Sequence, residues 1–254
     1  MQLIDTHAHL DHTENIEEVL FAAHKAGVSA IVAVSEDLES SKKNLEIQSK
    51  FECPKILAAI GIHPGTIRAE EVDQTLEYIK NNCDKIVAIG EIGLDYWYRW
   101  VRKNDEKKQE QKNIFRLQLE IAKEYGLPVT IHSRGAWQDC LSIVKDVGII
   151  KGVFHWYSGP LDVLREILDL GFYVSATPCL AYSKEAREAM EFVPIEKVLI
   201  ETDSPVSYGK DDERFRAEPK DVFRTLKIYG ELKNIDLQEA SEILNQNAEK
   251  VFGK

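Results

Sequence analysis

Short runs of apolar, largely β-branched residues recur along the chain, separated by segments with helical periodicity. The runs Leu3–Thr6, Ala30–Val34, Ile56–Ile60, Ile86–Ile89, Val129–Ile131, Gly152–Phe154, Phe172–Val174 and Val198–Ile200 read as strands. They are almost continuously apolar rather than alternating, which is the pattern of strands buried on both faces of a parallel sheet. Each interval has room for the crossover helix that parallel pairing demands. The clearest helix is Gln111–Tyr125, where Ile114, Leu117, Ile121 and Tyr125 fall on one predicted apolar stripe. Gly126 provides a left-handed stop, and Pro128 prevents continuation before the next strand. Further helices are predicted at Ile16–Ala26, Val72–Asn81, Trp137–Asp146, Leu161–Leu170, Pro219–Tyr229 and Leu237–Phe252. No low-complexity linker divides the chain. Eight strands alternating with helices over residues 1–254 therefore predict an α/β fold, a single-domain (β/α)8 TIM barrel rather than a doubly wound sheet.

Polar residues interrupt this pattern at one recurring place, the C-terminal end of a strand. His7 and His9 follow the first run, with Asp5 on the same face by alternation. Two imidazoles separated by about 6.6 Å of strand can converge on one ion. His63 follows the third run, Glu91 the fourth, His132, Ser133 and Arg134 the fifth, His155 the sixth, and Glu201, Thr202 and Asp203 the eighth. In a barrel these ends form one face, where active sites are built. Candidate metal ligands among them are His7, His9, Glu91, His132, His155 and Asp203. Asp5 and Glu201 are expected to orient imidazoles or ligands from behind. His12 and His24, in a loop and a helix, are read as solvated or packing residues.

Composition narrows the functional classes. A net charge of −11 argues against a sequence-independent electrostatic grip on duplex DNA, but not against nucleic acid held at a local site where metal ions reverse the charge. Cys53, Cys83, Cys140 and Cys179 are scattered and read as buried thiols of a reducing compartment. No signal-like N-terminus and no run of 18 apolar residues occurs, so a cytoplasmic protein with no membrane partner and no obligate protein partner is expected.

Taken together, the motifs resemble the TatD family of metal-dependent deoxyribonucleases, within the amidohydrolase-like barrels. The resemblance runs through Asp5-Thr6-His7-Ala8-His9-Leu10-Asp11, Gly61-Ile62-His63-Pro64, Gly90-Glu91-Ile92-Gly93-Leu94-Asp95 and Leu127-Pro128-Val129-Thr130-Ile131-His132-Ser133-Arg134. It continues with His155-Trp156-Tyr157-Ser158-Gly159, Glu201-Thr202-Asp203-Ser204-Pro205 and the closing Asn247-Ala248-Glu249-Lys250-Val251-Phe252. It implies two divalent ions per subunit (Mg2+, Mn2+ or Zn2+). His7, His9, Glu91 and Asp203 would hold one, and His132, His155 and a bridging Glu91 the other. It also implies a DNase, a 3′–5′ exonuclease acting on single-stranded DNA or 3′ ends. Three departures bear on substrate preference: Trp156-Tyr157 where Cys-Phe is common, Gly65 where a second histidine often follows His-Pro, and Ala217-Glu218-Pro219 where Asn-Glu-Pro is usual.

Such a pair of ions, about 4 Å apart, suits phosphodiester hydrolysis by metal-activated water. The catalytic residues are then Glu91 and Asp203, with Asp203 accepting the water's proton. His63 and Arg134, at the rim, and Trp156 and Tyr157 are the predicted substrate-binding residues, a loop-packing histidine and a structural ion pair being the alternatives at the first two. The segment Asp95–Lys103 mixes aromatic and basic residues and reads either as a stacking platform for single strands or as a loop whose aromatics pack on the barrel rim. Two readings compete: hydrolysis of a lactone, cyclic amide or phosphotriester on the same barrel, and a non-catalytic metal-binding barrel.

Overall fold

The computed structural model describes residues 1–210, 212 and 214–253. Eight parallel strands pair in chain order: β1 (Leu3–Ala8), β2 (Val28–Val34), β3 (Lys55–Ile60), β4 (Ala88–Gly93), β5 (Val129–His132), β6 (Gly152–Phe154), β7 (Tyr173–Ala176) and β8 (Val198–Ile200). Between them run α1 (Ile16–Lys25), α2 (Leu38–Lys50), α3 (Val72–Lys80), α4 (Asp105–Tyr125), α5 (Trp137–Val147), α6 (Leu161–Asp169) and α7 (Lys184–Phe192). A two-stranded hairpin, β9 (Ser207–Tyr208) with β10 (Phe215–Arg216), precedes α8 (Val222–Lys233) and α9 (Leu237–Phe252). The sheet is a nearly closed barrel, as the alternation of runs and helices predicts. Its seam joins β8 to β1 through a bridge between Ala8 and Ser204 and through Thr6 Oγ1, which donates to Ile200 O at 2.9 Å.

Alternate residues of the strands divide between two cores. Ile31, Ala33, Ala58 and Ile60 join the large cluster, whereas Val32, Val34 and Ala59 join a smaller one with Ala248, Val251 and Phe252 of α9. Period-two alternation sorts the strand side chains into two faces, and both are apolar, which is why the runs carry no polar alternation. Strand β4 meets β5 closely at Gly93, where φ is 143° and a Cβ would stand 1.9 Å from His132 O. Only glycine permits that approach.

Several expectations need correction. The buried face of α4 runs through Gln111, Ile114, Phe115, Gln118, Leu119, Ile121 and Ala122. Leu117 is 43 % exposed and Tyr125 44 % exposed, so the stripe drawn through them is wrong by part of a turn. The helix also starts earlier, at Asp105, capped by Asn104 Oδ1, which accepts from Lys107 N at 3.0 Å. Helices α2 and α7 fill intervals where a crossover helix is expected but where no apolar stripe places it, and Pro219–Asp221 forms a 3-10 turn before α8. Among the cysteines, Cys83, Cys140 and Cys179 are buried as expected, whereas Cys53 is exposed. Among the described residues no helix is long and apolar enough to cross a membrane.

Candidate metal centre

Strand β1 supplies His7, and His9 lies one residue past its end; β4 supplies Glu91 and β5 ends on His132. His155 follows β6, and Asp203 lies three residues past β8. The seam sets the register of three of them: Asp203 N–H donates to His7 O at 2.9 Å, and His9 N–H donates to Ser204 O at 2.8 Å. Asp203 and Trp156 have φ of 48° and 42°, a left-handed backbone that side-chain-bearing residues adopt at a cost of about 1–3 kcal/mol. Such strain is held only where the surroundings over-determine it.

Four donor atoms stand around a common point. His7 Nε2 lies 3.3 Å from Glu91 Oε2 and 3.5 Å from Asp203 Oδ1; His9 Nε2 lies 3.4 and 3.3 Å from the same oxygens. Ligands at the corners of a tetrahedron with 2.0–2.1 Å bonds are separated by about 3.3–3.4 Å. His7 Nε2 is buried with no hydrogen-bond partner despite these neighbours, because the donors face a shared centre rather than each other. This donor set fits a divalent cation.

A second set uses the other oxygen of the same carboxylate. His132 Nδ1 and His155 Nε2 each lie 2.7 Å from Glu91 Oε1 and 3.2 Å from one another. His63 Nε2 is 3.7 Å from Glu91 Oε1. The far nitrogens are held as well. His132 Nε2 meets Asp95 Oδ2 at 2.9 Å, His155 Nδ1 meets Glu201 Oε1 at 3.2 Å, and His7 Nδ1 lies 3.4 Å from Thr130 Oγ1. Fixing the outer nitrogen fixes the tautomer and aims the inner one, the usual support of a metal-ligating histidine.

The electrostatics favour cations. Burial would raise the Glu91 carboxyl, but the imidazoles of His155, His63 and His7 and the hydrogen bond with His132 hold it well below the usual carboxylate range. Burial opposes ionisation of Asp203 too, yet His9 and His7 keep it low. Burial disfavours a charged His9 or His155, but Asp203 and Glu91 raise the first, and Glu91 and Glu201 the second, well above the ordinary value. His63, with burial dominant, is pushed down to about 3 and is neutral at pH 7. Ionised carboxylates in a buried place require positive charge, which protons or metal ions can supply.

The structure thus brings together all six predicted ligands. The predicted substrate residues divide. Trp156 lines the cleft above the cluster, its indole Nε1–H donating to Cys179 Sγ at 3.0 Å. His63 was expected at the rim but is buried against Glu91 and edge-on to His132 at 4.6 Å. Arg134 also lines the cleft, but its Nε and Nη2 each lie 2.8 Å from Asp95 Oδ2, so a structural ion pair takes much of its donor capacity. Tyr157 is corrected outright: it is 1 % exposed, its hydroxyl donates to Pro160 O at 2.8 Å, and the turn at Trp156 carries it away from the cleft into the core. The Asp5 carboxylate, expected behind an imidazole, instead accepts from Thr202 N at 3.0 Å and Thr202 Oγ1 at 2.6 Å, tying β1 to the segment bearing Asp203. Sequence reasoning missed Asp95, fully buried between His132 and Arg134. Its only signal was its place in the run after Glu91.

The cleft has a volume of about 550 Å³, with Trp97, Tyr98, Trp137 and Trp156 as its aromatic walls. Residues 4–253 match the family model described as TatD related DNase. A human protein named deoxyribonuclease TATDN3 is 30 % identical over 99 % of this chain and 95 % of its own length. A Bacillus subtilis protein named as an uncharacterized metal-dependent hydrolase, YabD, is 34 % identical over 98 % of both. Among solved structures, the TatD homologue YjjV from Escherichia coli K12 superposes with a TM-score of 0.89 and 27 % identity, over 99 % of this chain and 98 % of that one.

Proposed function

The chain belongs to the TatD related DNase family, and on that premise we propose that it is a divalent-metal-dependent deoxyribonuclease that shortens single-stranded DNA from the 3′ end. The observation carrying this reading is the pair of donor sets joined by the two oxygens of Glu91. His7, His9, Asp203 and Glu91 Oε2 would hold one ion; His132, His155 and Glu91 Oε1 the other. Two ions so bound (Mg2+, Mn2+ or Zn2+) would make a water acidic enough to attack at neutral pH and offset the charge gathering on the scissile phosphate.

The remaining work falls to the chain's own groups. Asp203, ionised and lining the cleft, accepts the attacking water's proton. Asp95 and Glu201 keep the inner nitrogens of His132 and His155 free of protons by binding the outer ones. Arg134, half-exposed, presents the edge not used by Asp95 to a neighbouring phosphate. Trp97 and Tyr98 stand beside it, their rings 5.9 and 5.2 Å from its guanidinium carbon, where bases of a single strand can stack. DNA as the substrate class is supported by the human relative named a deoxyribonuclease.

The test is one panel. Protein stripped of metal and refilled is offered single-stranded DNA, duplex DNA, RNA and lactones, with Glu91→Ala alongside. Expected is metal-restored cleavage of single-stranded DNA, lost in the variant by at least about a hundredfold, as befits a group serving both ions. Hydrolysis of a lactone with no cleavage of DNA would overturn the reading, as would DNA cleavage that persists in Glu91→Ala.

A further inference from the structure

His12 and Glu36 stand at the lip of the same cleft, beside the first donor set but not part of it. His12 Nε2 is 3.2 Å from Asp11 Oδ2 and 3.2 Å from Glu36 Oε2. These are slightly shorter than the 3.3–3.5 Å separations of the first set and close to the about 3.3 Å expected for ligands sharing one ion. His9, His12 and Glu36 offer donor atoms all within 4.8 Å of one another. The His9 and His12 rings are stacked, 5.6 Å apart and 14° from parallel, so His9 walls the group on the side of the first set.

A second observation points to an absent ligand. The Asp11 side chain is 6 % exposed, and its Oδ1 is buried with no hydrogen-bond partner. Lys43 donates to the main-chain oxygen of Asp11, not to its carboxylate. A buried carboxylate oxygen without a donor has lost its water and gained nothing in return, which a cation would relieve. Two acids with one imidazole between them can instead be joined by a proton on His12. That alternative leaves Asp11 Oδ1 unserved.

We propose that His12, Glu36 and Asp11 form a third divalent-cation site, of the zinc or manganese class. His9 closes it on one side, and water completes the coordination at the half-exposed His12. One imidazole with two carboxylates is a borderline donor set, suited to those ions rather than to calcium. The site opens onto the cleft through His12 and Glu36. An ion there turns an acidic lip into a counter-charge for a phosphate flanking the scissile one, a role that rests on the nuclease reading above.

Ion counting separates this proposal from that reading. Metal-free protein is dialysed against Zn2+ or Mn2+ and the bound metal is measured by elemental analysis. Three equivalents are expected for the wild type and two for His12→Ala and Glu36→Gln, with unchanged circular dichroism. Two equivalents in the wild type overturn the third site and leave the paired sets intact. Three equivalents persisting in both variants overturn the assignment to these residues. Fewer than two in the wild type overturn the paired sets themselves.

Discussion

At the scale of single residues, the most exacting position is Asp95, which touches no proposed ion. Its Oδ2 takes His132 Nε2 and the Arg134 fork, while its Oδ1 accepts from Trp97 N at 2.8 Å. Asp95→Asn keeps the size and the Trp97 bond but presents an uncharged amide to three cationic or donor nitrogens. His132 then loses the partner that fixes its tautomer, and metal affinity should fall about 10–100-fold, with activity following. Competition against a chelator of known affinity measures this; an affinity within twofold of wild type would show that Asp95 is only an anchor for Arg134. Asp95 escaped the sequence reading because it acts on the far nitrogen of a histidine 37 positions away. His7, His9, Glu91, His132, His155 and Asp203 were legible because each lies in the last residues of a strand or just past it, and the C-terminal strand ends share one face of a barrel. Tyr157 misled for the complementary reason: adjacency to His155 says nothing of direction once Trp156 adopts a φ of 42°.

At the scale of elements, the strands were readable and two helices were not. The buried residues of α2 are Leu38, Ser40, Ser41, Asn44 and Ile47, so its inner face is mostly polar and leaves no apolar stripe. Those polar groups have work: Ser40 Oγ accepts from Glu36 N at 2.9 Å, and Asn44 Nδ2 donates to Val34 O at 2.7 Å. Likewise α4 buries two glutamines, Gln118 gripping Ile62 N and O and Gln111 gripping Asp95 N, which steadies the loops behind His63 and Glu91. The aromatic segment after β4 is the element that most distinguishes the cleft. Tyr98 fills the space over Gly65, where a Cβ would come within 2.5 Å of its hydroxyl, so the missing second histidine of the His-Pro motif is replaced by a ring from another loop. Trp97 is 60 % exposed and Trp100, stacked on Tyr98 at 4.3 Å, is nearly as open. Stacking on such rings contributes about 1–3 kcal/mol per base, so Trp97→Ala should raise KM for single-stranded DNA roughly five- to 150-fold. Trp100→Ala should do so less, because Trp100 does not line the cleft. Steady-state kinetics with a melting curve decide it: unchanged KM in both variants, with the fold intact, would return these rings to mere rim packing.

For the whole molecule, charge decides how a polyanion is met. The chain carries −11 overall, and its cleft concentrates Glu36, Glu91 and Asp203. Long-range attraction therefore cannot recruit DNA, in contrast to proteins that track a strand along a basic groove. What remains is local: the proposed ions, Arg134, and Arg99, Arg102 and Lys103 on the aromatic segment. Each phosphate neutralised on a single strand contributes about −0.7 to the slope of log affinity against log salt. With two to four such contacts, a non-cleavable phosphorothioate strand should bind with a slope between about −1.4 and −2.8 in the presence of Mg2+. In chelator the acidic cluster is uncompensated, and binding should fall below detection at physiological salt. Fluorescence anisotropy over a salt series measures both. A slope steeper than about −5 would require a run of phosphate contacts along the surface. Strong binding in chelator would mean that the grip lies outside the metal centre. Either result would move the recognition of substrate away from the barrel mouth, where the strand ends gather the proposed ligands.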